Sequence, residues 1–185
     1  MGLSLADTAL LIAFILLFLR AHGERPRDVL FGARPIGRES LLGVLMTFVA
    51  LVIGIGILAA IQTFAPSLHT VAHNPFQELI RTPHGAAIFA FVVIVAGGVR
   101  EEIQRAFLLH RFDVWLGGGT VGVVITSAAF GAGHLLQGAD AAIATGSLGA
   151  FWGMLYLRRR SAVAPVVSHS GFNVLQILQS LATGH

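Results

Sequence analysis

The chain has 185 residues, of which 55% are hydrophobic and only 11% charged, and its formal net charge is +3. A water-soluble domain carries about 25% charged residues, so a surface this poor in charge suits lipid, and +3 is too small to indicate nucleic acid as a partner. Cysteine is absent, which excludes disulfides, thiolate metal sites and cysteine nucleophiles.

A helix that crosses a bilayer needs roughly 20 residues, and six apolar stretches stand out near 3–19, 41–65, 85–110, 120–137, 141–157 and 162–182. Nothing before Arg20 is positively charged, so the first stretch reads as a retained helix and not as a signal peptide. The 20–40 connection is arginine-rich, and 66–84 is a mixed loop with His69, His73 and His84. Gly117-Gly118-Gly119 parts the third stretch from the fourth. Only Gly138, Ala139 and Asp140 part the fourth from the fifth, and Asp140 suits a helix N-cap or turn. Pro66 and Pro165 sit at segment margins, where proline is tolerated. These features predict an all-α fold, a polytopic transmembrane helix bundle of about six spans, with seven or eight helices as the alternative count. It divides into N-terminal membrane helices with their arginine-rich loop (1–84) and a core that carries the unusual polar residues (85–185).

The arginines orient this bundle. With six alternating spans, Arg20, Arg25, Arg27, Arg34, Arg38, Arg111, Arg158, Arg159 and Arg160 fall on one side, leaving Arg81 on the other. The positive-inside rule makes the arginine-rich side cytoplasmic and puts both termini outside the cytoplasm. The expected location is a multi-pass position in the membrane, the inner membrane in a bacterium.

An ionisable group at bilayer depth costs about 2.5–3.5 kcal/mol even on a lenient scale and marks function by default. Three clusters meet that description. In Arg100-Glu101-Glu102-Ile103-Gln104-Arg105, Arg105 shares a helix face with Glu101 at i+4 and with Glu102 at i+3, and paired carboxylates are one route to a general base. The plainer account is a solvated helix end with compensating charges. Phe130-Gly131-Ala132-Gly133-His134 surrounds an imidazole with small residues that also allow close helix approach. His169 and Asn173 lie four apart in the last stretch; they suit either an oxyanion or an ordinary interhelical hydrogen bond. Together, three spans supply carboxylate, imidazole and amide, the inventory for activating water. A GxSxG elbow, an HExxH helix and a phosphate loop are all missing, so water is the available nucleophile, activated by these residues or by a metal that they hold.

Glu101-Glu102…Arg105, Phe130…His134 and His169…Asn173 resemble, in order and spacing, the three motifs of the type II CAAX prenyl proteases, also called CPBP or ABI intramembrane proteases, with their lysostaphin resistance protein A-like group. The resemblance covers about 85–182 and makes 85–185 a CPBP-like catalytic core. It implies hydrolysis of a peptide bond within or beside the membrane, on a membrane-associated peptide or protein, prenylated substrates among them. By position, Glu101 is then the general base assisted by His134, His169 and Asn173 stabilise the oxyanion, and Glu102 and Arg105 support the site. No cofactor is required by this assignment; the alternative is zinc held by Glu101, His134 and His169. One departure stands out: the family leaves three residues between the glutamate pair and the arginine, and here only Ile103 and Gln104 intervene. That spacing predicts an Arg105 turned to Glu101 and leaves open which glutamate is the base. The six-span scheme also sets His134 at the outer end of its helix, a turn or two away from Glu101 and His169 in depth.

Two readings from other classes compete. A non-proteolytic scaffold or bacteriocin-immunity-type protein keeping the fold gains weight from the shortened motif. A proton-coupled transporter would use the same Glu and His groups, but the chain has neither inverted repeats nor enough spans for one.

Overall fold

A computed structural model describes residues 2–71, 77–80 and 82–183. His73 and Arg81 lie outside the described residues, and with them the expectation that Arg81 stands alone on the far side. Among the described residues every regular element is helical: α1 (Gly2–Ala21), α2 (Pro26–Leu30), α3 (Ile36–Phe64), α4 (Pro83–Val92), a π-helical stretch (Val93–Arg100), α5 (Glu101–Trp115), α6 (Gly119–Ala132), α7 (Ala139–Arg159) and α8 (Val163–Thr183). Short 3-10 turns at Pro66–Leu68, Gln77–Ile80 and Leu135–Gln137 join some of them.

Two helices, α1 and α3, are long and apolar enough to cross a membrane. At about 1.5 Å per residue, the 29 residues of α3 reach well beyond a hydrocarbon layer of about 30 Å. Only 17% of the apolar stretch of each is buried, unlike the core helix of a water-soluble domain. Leu10, Leu17, Leu41, Val52, Ile55 and Phe64 point outwards, while Glu39, Glu102, Arg105, Ser168 and His169 are buried. Apolar outside and polar inside is the arrangement that lipid selects.

The fourth apolar stretch is shorter than the sequence indicates. α6 ends at Ala132 after 14 residues, about 21 Å, because Gly131 and Gly133 are poor helix formers and Gly133 caps the last turn. His134 therefore sits in the turn that follows, not at the far end of a full-length span. The break before α6 is as expected: Gly117 and Gly118 take φ of 95° and 98°, which a residue with a Cβ adopts only under strain. Asp140 is not the N-cap. Gly138 holds that position, and Asp140 accepts the Ala141 N–H at 2.9 Å while meeting His69 Nδ1 at 2.7 Å, so it ties the loop after α3 to the start of α7.

The arginine clusters gather at one end of the bundle. Glu39, fully buried at the start of α3, receives Arg159 Nη2 at 2.5 Å. Arg34 Nε donates to the Arg159 carbonyl at 3.1 Å. The first loop is held down by Tyr156, whose hydroxyl donates to the Val29 carbonyl at 3.0 Å, and by the Ala162 N–H, which reaches the Leu30 carbonyl at 2.8 Å. Arg160 pairs with Asp113 at 2.6 Å, and Glu24 takes both Arg111 and His110.

Glu24 lies in the loop after α1, where the Arg111 guanidinium, then His110, holds its carboxyl below the ordinary 4.5. A carboxyl depressed in the fold stabilises it above that ordinary value, and the contribution is lost as pH falls through the depressed one. Thermal unfolding in detergent should therefore show stability falling below pH 4.5, and Glu24→Gln should flatten that decline. An unchanged pH profile in the variant would contradict the pairing.

Candidate active site

The site is built where the helix 83–115 changes its winding. Over Val93–Arg100 the hydrogen bonds follow the π pattern, which is rare and concentrates at functional sites. Gly97 and Gly98 face α8 here. A Cβ on Gly97 would lie 2.8 Å from Asn173 Nδ2, and one on Gly98 would overlap the Ser170 hydroxyl. Two bare backbone positions thus let α8 come close enough for Asn173 Nδ2 to reach the Val93 carbonyl at 3.5 Å.

Beyond this stretch α5 carries the glutamates, and the structure separates them. Glu102 is 1% exposed. Its Oε1 accepts from Arg105 and meets His169 Nδ1 at 2.8 Å. Arg105 is thus paired at i+3 with Glu102, and not at i+4 with Glu101 as its spacing suggested. The reason lies in its surroundings. The guanidinium stands 4.6 Å from the centre of the Phe130 ring and 5.9 Å from that of Trp152, an attractive cation–π placement. Gly149 leaves room for Phe130 and Arg105, since a Cβ there would come within 2.9 Å of the Phe130 ring.

His169 is 5% exposed and is fixed on three sides. Trp152 stacks on it with centroids 3.9 Å apart and planes 13° from parallel, and Phe130 meets it edge-on at 6.1 Å. Trp152 itself is held by its indole N–H, which donates to Ser168 Oγ at 3.0 Å. A carboxylate oxygen only accepts, so His169 Nδ1 carries the proton and a neutral ring turns the lone pair of Nε2 outwards. Glu101 Oε2 lies 3.9 Å from that Nε2, too far for a direct hydrogen bond. His134 follows the same logic: Nδ1 donates to the Phe130 carbonyl at 2.8 Å, leaving Nε2 with the lone pair.

Glu101, His134, His169 and Asn173 all line one cavity of about 570 Å³, together with Arg100 and with Asp7 of α1. The early end of α6 leaves His134 on the same cavity as Glu101 and His169. Glu102 and Arg105 stand behind the cavity wall. Among the described residues no group of three or more histidine, aspartate and glutamate side chains is placed to hold a metal ion. Each histidine commits only Nδ1 and keeps the Nε2 lone pair that a metal would take, but Glu101, His134 and His169 are not gathered into a group that could hold zinc.

Residues 83–175 match the family model of the Rce1-like type II CAAX prenyl endopeptidases. The chain belongs to this family. No curated protein and no solved structure matches it. The Rce1-like region begins at α4 and ends within α8, so it contains the π-helical stretch, both glutamates, both histidines and Asn173. An Rce1-like endopeptidase family and the outward apolar faces of α1 and α3 together make this an integral membrane protein of a protease family.

Sequence reasoning missed Trp152, Arg100 and Asp7 as parts of the site. Trp152 lies in an apolar stretch with glycine at 149 and 153, and only those flanking gaps hinted at a neighbour packed against it.

Gly97→Ala should push the Asn173 amide aside and lower peptide cleavage by about 10- to 100-fold while the protein still inserts and folds. Gly56→Ala, where nothing lies within 4 Å, is the matched control. Equal loss in both, measured in proteoliposomes, would show that the close approach at Gly97 is irrelevant.

Proposed function

We propose that the chain is an intramembrane endopeptidase in which Glu101 activates water. The carrying observation is the unequal surroundings of the two glutamates. Glu102 is spent on Arg105 and His169, whereas Glu101 has a side chain 24% exposed and faces the cavity. A base must be able to reach water and substrate.

In this reading a water molecule bridges the gap between Glu101 and His169 Nε2, giving one hydrogen bond to each. Glu101 takes a proton as the water oxygen attacks the scissile carbonyl carbon. The Asn173 amide donates to the oxygen that becomes negative. Glu101 then returns the proton to the leaving nitrogen as the C–N bond breaks, so one water is consumed and an acid and an amine are released. Both water protons are then engaged, so His134 assists from the cavity wall, its Nε2 lone pair accepting the N–H of the scissile peptide. A neutral His169 offers a lone pair and no proton, so it stabilises the oxyanion only when the ring carries both protons; Asn173 has no such requirement.

Membership in the Rce1-like family supports a membrane-associated protein or peptide as substrate, with prenylated C-termini among the candidates. The bundle is read as six spans, α1, α3, the helix 83–115, α6, α7 and α8, with the arginine-rich end cytoplasmic and both termini outside. Residues 1–84 serve as scaffold to a catalytic core at 85–185. The shortened first motif no longer favours a non-proteolytic scaffold, because Arg105 reaches Glu102 at i+3.

Glu101→Gln should reduce cleavage of CAAX-type peptides in proteoliposomes by about 10²–10⁴-fold without loss of thermal stability. Glu102→Gln should lower activity and stability together, since breaking a buried pair costs about 3–5 kcal/mol. Full activity in Glu101→Gln would end the assignment.

A further inference from the structure

Arg100 closes the π-helical stretch and lines the same cavity as Glu101, yet none of the steps above uses it. Its Nη2 lies 2.7 Å from Asp7 Oδ2 on α1. Its Nε is buried and has no hydrogen-bond partner. The two members of the pair are held unequally: the Arg100 side chain is 26% exposed and that of Asp7 59%. The cation is part of the wall, and the carboxylate is the partner that water can replace.

A guanidinium presents its N–H groups as a fork that matches both oxygens of one carboxylate. Asp7 meets Nη2 while Nε keeps no hydrogen-bond partner, so the pairing is incomplete, and a half-exposed pair of this kind is weak. A charged donor left over beside the apolar side chains of Phe89, Val92, Val93 and Ile177 is a standing cost that a better-matched anion would remove. Glu101 cannot be that anion and also act as the base.

We infer that Arg100 is the carboxylate-recognition residue of the cavity, binding the free C-terminal carboxylate of the peptide, with Asp7 as a resting counter-ion that the substrate displaces. The inference rests on the peptidase reading and adds the residue that sets where along a chain the cut falls. Arg100 and Glu101 are neighbours on the helix, and an extended peptide spans about 3.3–3.6 Å per residue, so a carboxylate held at Arg100 fixes the scissile bond within a few residues of the C-terminus.

The test is a binding measurement on the full-length Glu101→Gln protein in detergent, which separates recognition from turnover. The probes are a fluorescent apolar pentapeptide with a free C-terminal carboxylate and the same peptide as its C-terminal amide, followed by anisotropy. The acid should bind about tenfold or more tightly than the amide, as a charge-assisted fork allows. Adding Arg100→Gln should bring the acid to the affinity of the amide, and Arg100→Lys should restore only part of the difference. Adding Asp7→Asn should tighten the acid and leave the amide unchanged, whereas a merely structural tie between α1 and the π-helical stretch would weaken both. Equal binding of acid and amide, no binding of either, or discrimination that survives Arg100→Gln would each overturn the inference. Acid-selective binding by a protein that cleaves nothing with Glu101 restored would keep the inference and end the peptidase reading instead.

Discussion

A carboxylate removed from water to the degree of Glu102 survives only if its charge is matched on the spot, because the desolvation cost of an isolated ion is several kcal/mol. Glu102 is matched by the Arg105 guanidinium and by the His169 imidazole. Around that group of three the rest of the site takes its position. Arg105 is held under Phe130, His169 is clamped against Trp152, and α5, α6, α7 and α8 are tied to one centre with their polar atoms facing each other and their apolar faces turned out. Removing Arg105 would strand a buried charge, and removing His169 would leave a carboxylate lone pair unmatched, so the arrangement is rigid.

The same arrangement gives the two glutamates different surroundings. Since Glu102 is consumed in orienting His169, its neighbour is free to face the cavity, and consecutive residues on a helix point about 100° apart. The π-helical stretch just before them sets which way each points, and the glycines at 97 and 98 let α8 bring Asn173 to the same wall. On this view the chemistry depends less on the polar residues themselves than on two glycines and an irregular turn that put them on opposite sides of that wall.

Much of this was legible in the sequence. Ionisable residues inside apolar stretches are expensive enough to be conspicuous, so Glu101, Glu102, His134 and His169 stand out, with Asn173 four residues beyond His169, and their order points to the family. The partner of Arg105 was not legible, because positions three and four residues back on a helix are both within reach and only the tertiary surroundings choose between them. The end of α6 is not legible because Gly does not interrupt an apolar stretch, while its weak support for a helix counts only where packing does not override it. The π-helical stretch leaves no mark on hydropathy, and Glu39 looked like part of a loop although it starts α3 and is buried against Arg159.

The central claim is that Glu102 fixes the His169 ring with its proton on Nδ1, so that Nε2 presents a lone pair to the water beside Glu101. Solid-state ¹⁵N NMR of histidine-labelled protein in bilayers, at an alkaline pH where the imidazoles are neutral, observes this directly. The account predicts a hydrogen-bonded Nδ1–H and an unprotonated Nε2 for His169, and the loss of that preference in Glu102→Gln. A His169 protonated on Nε2, or one whose tautomer ignores the Glu102 substitution, would contradict it.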